Sequence, residues 1–221
     1  MSPNEISSAN NIVYLIPAAD MDERAIDGIQ IAGVKVHRVK LPTLTDRSKL
    51  RDVTEHISKQ INQENPILLG FCSGSVLAIE VAKIIEAQKI IVVSGITNGG
   101  DIVQSRKILA FTFNALPEWS LLALGVFVST FVTKVLRLNV KIPRIWLKVG
   151  QNKFILKHAL SLNSRDINGK MIRIHGAKDL IVPFAKTKAD YIIPDGGHFM
   201  FVHRRKEVLQ AIAQAISDVS G

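Results

Sequence analysis

The chain has 221 residues, of which 47% are hydrophobic and 21% are charged, and its mean hydropathy is +0.20. This length and composition can bury the full core of one domain, so intrinsic disorder is excluded. The formal net charge is +9, yet the basic residues are scattered and only "HRRK" (203–206) is compact. With 6% aromatic residues and no recognisable nucleic-acid-binding motif, the excess charge indicates a basic solvated surface and no nucleic-acid partner.

The single cysteine, Cys72, cannot form an internal disulfide, which favours a reducing, cytoplasmic environment. The polar start "MSPNEISSANN" has no basic segment leading into an apolar run, so we expect no signal peptide. The sequence has neither a metal-ligand cluster nor a nucleotide-binding glycine pattern, so we expect no cofactor and no metal.

Apolar, β-branched segments alternate with helical patterns along most of the chain. In chain order we predict a strand at 11–18, a helix at 22–29, a strand at 35–42, a helix at 46–61 with Asp46 as its N-cap, a strand at 66–72, a helix at 75–87, strands at 89–95, 170–176 and 188–197, and a helix at 206–219. The segment 66–72 is apolar throughout and predicts the central strand. This alternation indicates an α/β fold with a parallel sheet.

A long interruption, residues 97–168, lacks the rhythm of strands and predicts a helical cap or lid. Residues 1–96 and 169–221 would then form the α/β core. The most apolar run, "LLALGVFVSTFV" (121–132), is shorter than the roughly 20 residues of a membrane-spanning helix, so lid helices explain it better. The basic segment that follows it leaves a membrane-surface contact open, and the apolar insert could also form a homodimer interface.

The stretch "GFCSG" places Cys72 between Gly70 and Gly74 at the predicted end of the central strand. A sharp strand-to-helix turn needs small residues two positions before and after its nucleophile, because bulky ones would clash with the strand or the helix. Ser73 and Ser75 lack this pair of glycines. The N-terminus of the next helix would also stabilise negative charge near the sulfur. The spacing therefore predicts that Cys72 is the nucleophile.

With this G-x-C-x-G motif the sequence resembles a small α/β-hydrolase, a superfamily whose nucleophile elbow is G-x-S-x-G. Cysteine in this position is similar to the dienelactone hydrolases, whereas the rest resembles the compact, lidded, esterase-like branch. The resemblance implies an α/β-hydrolase fold with a roughly six-stranded, mostly parallel sheet, helices on both faces and a helical cap insert.

Two downstream motifs resemble the loops of the other triad members in this superfamily. "MIRIHGAKDLIVP" (171–183) is similar to the strand and H-G-x-x-D-x-x-x-P loop, which implies that Asp179 is the acid. "IPDGGHFMF" (193–201) is similar to the G-G-H loop before the last helix, which implies that His198 is the base. The other histidines lie in strand or helix patterns, in the strand-end motif or too close to the last helix: His37, His56, His158, His175 and His203.

The loop after the first strand, "YLIPAADMDER", matches the segment where such enzymes form half of the oxyanion hole. The resemblance implies that the backbone N–H groups of Ala19 and Ser73 are the two donors. Ala18 stands where the superfamily usually has glycine.

The resemblance implies that a Cys-His-Asp triad attacks an acyl thioester, ester or lactone through a covalent acyl-enzyme, with a small hydrophobic acyl substrate under the lid. A thiol favours thioesters, activated esters or lactones over peptide bonds. One alternative is an acyl transferase or cyclase that acts on a carrier- or CoA-bound acyl group, and the net positive charge would suit an acidic acyl carrier protein. Another is a non-catalytic binding protein with the same fold.

Overall fold

The computed structural model describes residues 12–19, 28–31, 33–102, 113–123, 148–165, 167, 170–183 and 188–218. Within this part the sheet has six strands, β1 (Ile12–Ile16), β2 (Lys35–Arg38), β3 (Ile67–Phe71), β4 (Lys89–Val93), β5 (Lys170–Gly176) and β6 (Tyr191–Ile193). Their order is β2-β1-β3-β4-β5-β6, and every neighbouring pair is parallel. The predicted α/β class and six-stranded sheet are confirmed, and the strands are parallel throughout.

The helices that pack on this sheet are α1 (Leu50–Ser58), α2 (Gly74–Ala82), α3 (Val149–Ser161), α4 (Met200–His203) and α5 (Arg205–Ser217). A 3₁₀ turn covers Gly99–Asp101, and residues 113–115 and 118–123 are also helical. None of the helices in the described ranges is long and apolar enough to cross a membrane.

The sheet carries an apolar cluster on each face, because successive strand residues point to opposite sides. Leu68 of β3 belongs to the cluster shared with α1, α2 and α3. Leu69, the next residue, belongs to the cluster shared with α4 and α5. Both are fully buried, and each such leucine contributes about 1.5 to 3 kcal/mol. Strand β3, which Cys72 directly follows, is therefore packed on both faces.

Several predicted boundaries differ from the structure. Asp46 is not the N-cap of α1, because the helix begins at Leu50 with Lys49 as its N-cap. Ser48 donates its N–H to the carbonyl of Thr45 and accepts the N–H of Thr45 on its hydroxyl, which holds this segment in a turn. The strands predicted at 89–95 and 188–197 are shorter, ending at Val93 and spanning Tyr191–Ile193.

The predicted insert is described only in part. Its last helix, α3, packs Phe154, Ile155 and Ala159 into the same apolar cluster as α2, so this helix is joined to the sheet by a shared core. The predicted helix at 22–29 and the apolar and basic segments at 121–132 and 134–148 lie mostly outside the described residues.

Candidate active site

Cys72 directly follows β3 and has a positive φ of 48°. Its N–H donates to the carbonyl of Val93 at 2.9 Å, so the β3–β4 ladder continues one residue past the strand. Its own carbonyl accepts the Ser75 hydroxyl at 2.6 Å. A non-glycine residue in the left-handed region is strained, and these two hydrogen bonds hold the strained turn in place.

Both glycines of the turn are required by close backbone contacts. A Cβ atom on Gly70 would lie 2.7 Å from the Cα of Ser75. A Cβ atom on Gly74 would meet the carbonyl oxygens of Ile16 and Pro17, the latter at 2.6 Å. Contacts this short force the backbone to move, so the spacing of small residues has the steric cause that the sequence indicated.

Three side chains form a hydrogen-bonded series at the carboxyl edge of the sheet. Cys72 Sγ lies 2.8 Å from His198 Nε2. His198 Nδ1–H donates to Asp179 Oδ2 at 2.9 Å. Asp179 Oδ1 accepts the N–H groups of Ile181 at 2.8 Å and Val182 at 2.9 Å. The residues that the sequence nominated from three distant segments are thus brought into one contact series.

The electrostatics of this series favour a charged histidine. Burial lowers the pKa of His198, but the hydrogen bonds to Asp179 and Cys72 and the negative charges of these groups raise it to about 10. Burial raises the pKa of Asp179, but its hydrogen bond to His198, the charge of His198 and the two backbone N–H groups lower it overall. Asp179 is only 3% exposed, so its carboxylate depends on these partners.

His175 is a site residue that the sequence assigned only to a strand-end motif. It is 1% exposed, its Nε2–H donates to the carbonyl of Val182 at 2.8 Å, and Nε2 lies 3.4 Å from Asp179 Oδ2. Burial lowers its pKa more than Val182 and Asp179 raise it, so it is neutral at neutral pH. His175 therefore fastens the loop that carries Asp179.

The loop after β1 reaches the turn that carries the cysteine. The Ala19 N–H, predicted as an oxyanion donor, donates to the Ser73 hydroxyl at 3.0 Å. The Ala19 carbonyl accepts Lys148 Nζ at 3.2 Å and the side-chain amide of Gln151. Ala18 does not have a positive φ, so alanine fits here without backbone strain. Use of the Ala19 N–H by a substrate would require the Ser73 hydroxyl to move aside.

Two cavities adjoin the site. A small one of about 10 Å³ is lined by Cys72, His198 and Ser94, and otherwise by apolar side chains. A larger one of about 600 Å³ lies beside Ala19, and its described lining includes Arg38, Lys40 and Lys148 but no acidic residue.

Ser94 lines the small cavity with Cys72 and His198, and the sequence did not indicate that it belongs to this site. Its signal is slight, a hydroxyl residue followed by glycine at the end of an apolar strand. In the described ranges, no group of three or more His, Cys, Asp or Glu residues could hold a metal ion.

No protein-family model matches the chain, and no curated protein sequence matches it. The fold is nevertheless similar to solved structures over nearly its whole length. The RedJ thioesterase of the prodiginine pathway in Streptomyces coelicolor is 16% identical, with a TM-score of 0.61 over 94% of this chain and 91% of that chain. A structure from a study of carboxylesterases of Nitrososphaera gargenis is 13% identical, with a TM-score of 0.67 over 96% and 92%.

A third similar structure, MGS-M2, is an α/β-hydrolase enzyme from a Medee basin deep-sea metagenome library. It is 12% identical, with a TM-score of 0.61 over 98% of this chain and 92% of that chain. Identities this low establish the fold and no more. The parallel sheet and the similarity to these structures over nearly the full length of the chain show that the chain has the α/β-hydrolase fold.

Proposed function

We propose that the chain is an acyl-transferring enzyme, in the first place a thioesterase or esterase, that acts through a covalent thioester on Cys72. The observation that carries the proposal is the hydrogen-bonded series from Cys72 through His198 to Asp179. A nucleophile, a base and a group that orients the base are the three parts that such catalysis requires.

The acylation step follows from these contacts. The Cys72 thiolate attacks the carbonyl carbon of an acyl thioester, and a carbon–sulfur bond forms while the carbonyl oxygen becomes negative. The N–H groups of Ala19 and Ser73 stabilise this oxygen. As the tetrahedral intermediate collapses, the bond to the leaving thiolate breaks and His198 supplies its proton. The acyl group then remains on Cys72.

Asp179 acts on His198 throughout this cycle. It accepts the Nδ1–H of His198, which directs Nε2 towards the sulfur and stabilises the positive imidazole. The pKa of about 10 keeps His198 protonated, so a proton is ready for the leaving group. Hydrolysis then requires water to attack the acyl-enzyme, with His198 as the base.

Thioesters are the substrates that the site favours. The leaving thiolate and the Cys72 sulfur are chemically alike, so transfer of the acyl group replaces one thioester bond by another of similar energy. An alkoxide is a poorer leaving group. Exposed Phe199 and Val202 beside Cys72 would suit an apolar acyl chain, with the helical insert as its lid. RedJ, a structural neighbour, is a thioesterase.

A carrier- or CoA-bound acyl group is favoured by the cavity beside Ala19. Arg38, Lys40 and Lys148 line it, and cationic side chains bind phosphate groups well. Ala19 is hydrogen-bonded to Ser73, the residue after Cys72, so a phosphate-bearing arm in this cavity would lie near the nucleophile. The same machinery would serve a transferase or cyclase when the acceptor is not water.

Intact-protein mass spectrometry after mixing with short- and long-chain acyl thioesters tests the proposal. We expect a mass gain of one acyl group in the wild type and none in Cys72→Ala. His198→Ala should acylate slowly, while His203→Ala, which changes a histidine outside the series, should match the wild type. Decay of the adduct in water indicates a hydrolase, and decay only with an added thiol or amine indicates a transferase. If neither the wild type nor Cys72→Ala gains mass with any thioester of the panel, the proposal fails and the alternative of a non-catalytic binding protein is favoured.

A further inference from the structure

A second strained residue lies beside Cys72. Ser94 has a φ of 51°, close to the 48° of Cys72. The sheet register pairs Phe71 with Val93, so Cys72 and Ser94 are the next residues on two strands about 4.8 Å apart. Ser94 is held there because its N–H donates to the carbonyl of Ile174 at 3.0 Å.

The Ser94 hydroxyl is buried without a hydrogen-bond partner among the described residues, and the residue is 3% exposed. A buried hydroxyl without a partner is destabilising, and so is a left-handed serine. Two such features at one residue next to the nucleophile indicate a function, since neither stabilises the fold.

A water molecule in the small cavity would supply the missing partner. Ser94 lines this cavity together with Cys72 and His198, and the cavity volume is about 10 Å³. One water molecule needs roughly 10 to 15 Å³ and two or more polar partners. In the described state His198 Nε2 is hydrogen-bonded to Cys72 Sγ, but an acylated sulfur no longer holds it. In the acyl-enzyme the Ser94 hydroxyl and Nε2 would therefore be two such partners, while the remaining walls, which include Phe71 and Val93, are apolar.

We propose that Ser94 binds the water molecule that hydrolyses the acyl-enzyme. This inference rests on the proposed function and extends it to the second half-reaction. Ser94 hydrogen-bonds the water, and His198 takes one of its protons at Nε2. The water oxygen forms a bond to the acyl carbon, the bond from that carbon to Cys72 Sγ breaks, and the free acid and the Cys72 sulfur are released. No oxidant, reductant or further reactant is needed.

The test measures acylation and deacylation separately in the wild type, Ser94→Ala and Ser94→Gly. We expect acylation to be unchanged and deacylation to slow about tenfold, the effect of one lost hydrogen bond. Alanine keeps the strain and glycine relieves it, but both lack the hydroxyl, so both should slow deacylation. Asn65→Gly is the matched control, because Asn65 has a φ of 50° on an exposed loop.

Two further readouts separate this role from a structural one. Hydroxylamine attacks acyl-enzymes without needing a held water, so the ratio of hydroxamate to free acid should rise about tenfold in Ser94→Ala. Without substrate its thermal midpoint should equal or exceed that of the wild type, because in the free protein the hydroxyl has no hydrogen-bond partner among the described residues.

Wild-type deacylation rates and an unchanged hydroxamate ratio in both variants would overturn the role of Ser94. So would slower acylation or altered acyl-chain preference with normal deacylation, which would make Ser94 a substrate contact. In both cases the adduct on Cys72 would still form and the proposed function would stand. If the wild type forms no adduct, both proposals fail together.

Discussion

Replacing Asp179 by asparagine changes the site with almost no change in shape. The amide oxygen can still accept the N–H groups of Ile181 and Val182, which Oδ1 accepts now. The amide nitrogen must then face His198 Nδ1, where Oδ2 lies at 2.9 Å. Because two N–H donors cannot face each other, the imidazole keeps its proton on Nε2, towards the sulfur. In that tautomer His198 cannot take the proton of the Cys72 thiol.

The size of the effect follows from the bond that is lost. A hydrogen bond to a charged group contributes about 1.5 to 3 kcal/mol, which corresponds to a roughly 10- to 150-fold slower acylation. The wrong tautomer adds to this loss. The pKa of His198 should also fall, because the hydrogen bond and the charge of Asp179 are two of the effects that raise it.

Rapid-quench mass spectrometry with an acyl thioester measures acylation, and an NMR titration of the imidazole measures the pKa of His198. Asp190→Asn is the matched control. Asp190 also accepts a backbone N–H, that of Arg173 at 2.8 Å, but it is not part of the series from Cys72 through His198 to Asp179. Acylation within about threefold of the wild type, with an unchanged pKa of His198, would refute the reasoning that Asp179 acts through His198.

Three other changes should have measurable effects. Gly74→Ala should lower the free energy of unfolding in urea by about 1 to 3 kcal/mol, although alanine favours helices, and greater stability would contradict the close contact with Pro17. His198 has a folded pKa of about 10, above its unfolded value, so its stabilising effect is complete below pH 6.5 and lost as pH rises through about 10. The difference in unfolding free energy between wild type and His198→Gln should therefore shrink between about pH 6 and pH 11. A constant difference would contradict the raised pKa of His198. Lys40→Ala should raise KM for an acyl-CoA severalfold but not for an acyl-N-acetylcysteamine, and equal effects on both would argue against a phosphate-binding cavity.

The fold class and the turn at Cys72 were predictable for a local reason. Strand β3 is apolar throughout, and Gly70 and Gly74 surround Cys72 within five residues, so the turn can be seen in sequence alone. In both cases the physical cause lies within a few residues of the effect. Asp179 and His198 were nominated from the resemblance of two short motifs, and their roles stay predictions.

Other features depend on contacts between distant segments. The strain and the unpaired hydroxyl of Ser94 become visible only when the β3–β4 register places it beside Cys72. The hydrogen bond from Ala19 to Ser73 joins residues 54 positions apart, and no local pattern encodes it. The N-cap of α1 was misassigned because a turn built by Thr45 and Ser48 competes with the capping preference of Asp46.

The contact between Gly74 and the carbonyls of Ile16 and Pro17 has a consequence for how this site can change during evolution. Main-chain atoms set how closely the cysteine turn approaches the loop of Ala19, and the Ser73 hydroxyl also joins the two. Under the proposed function, side chains in the walls of the site could therefore be exchanged without altering the distance between Cys72 and the proposed oxyanion donors. Such exchanges would change the proposed substrate preference, while the backbone contacts of Gly74 would keep Cys72 aligned with the loop of Ala19.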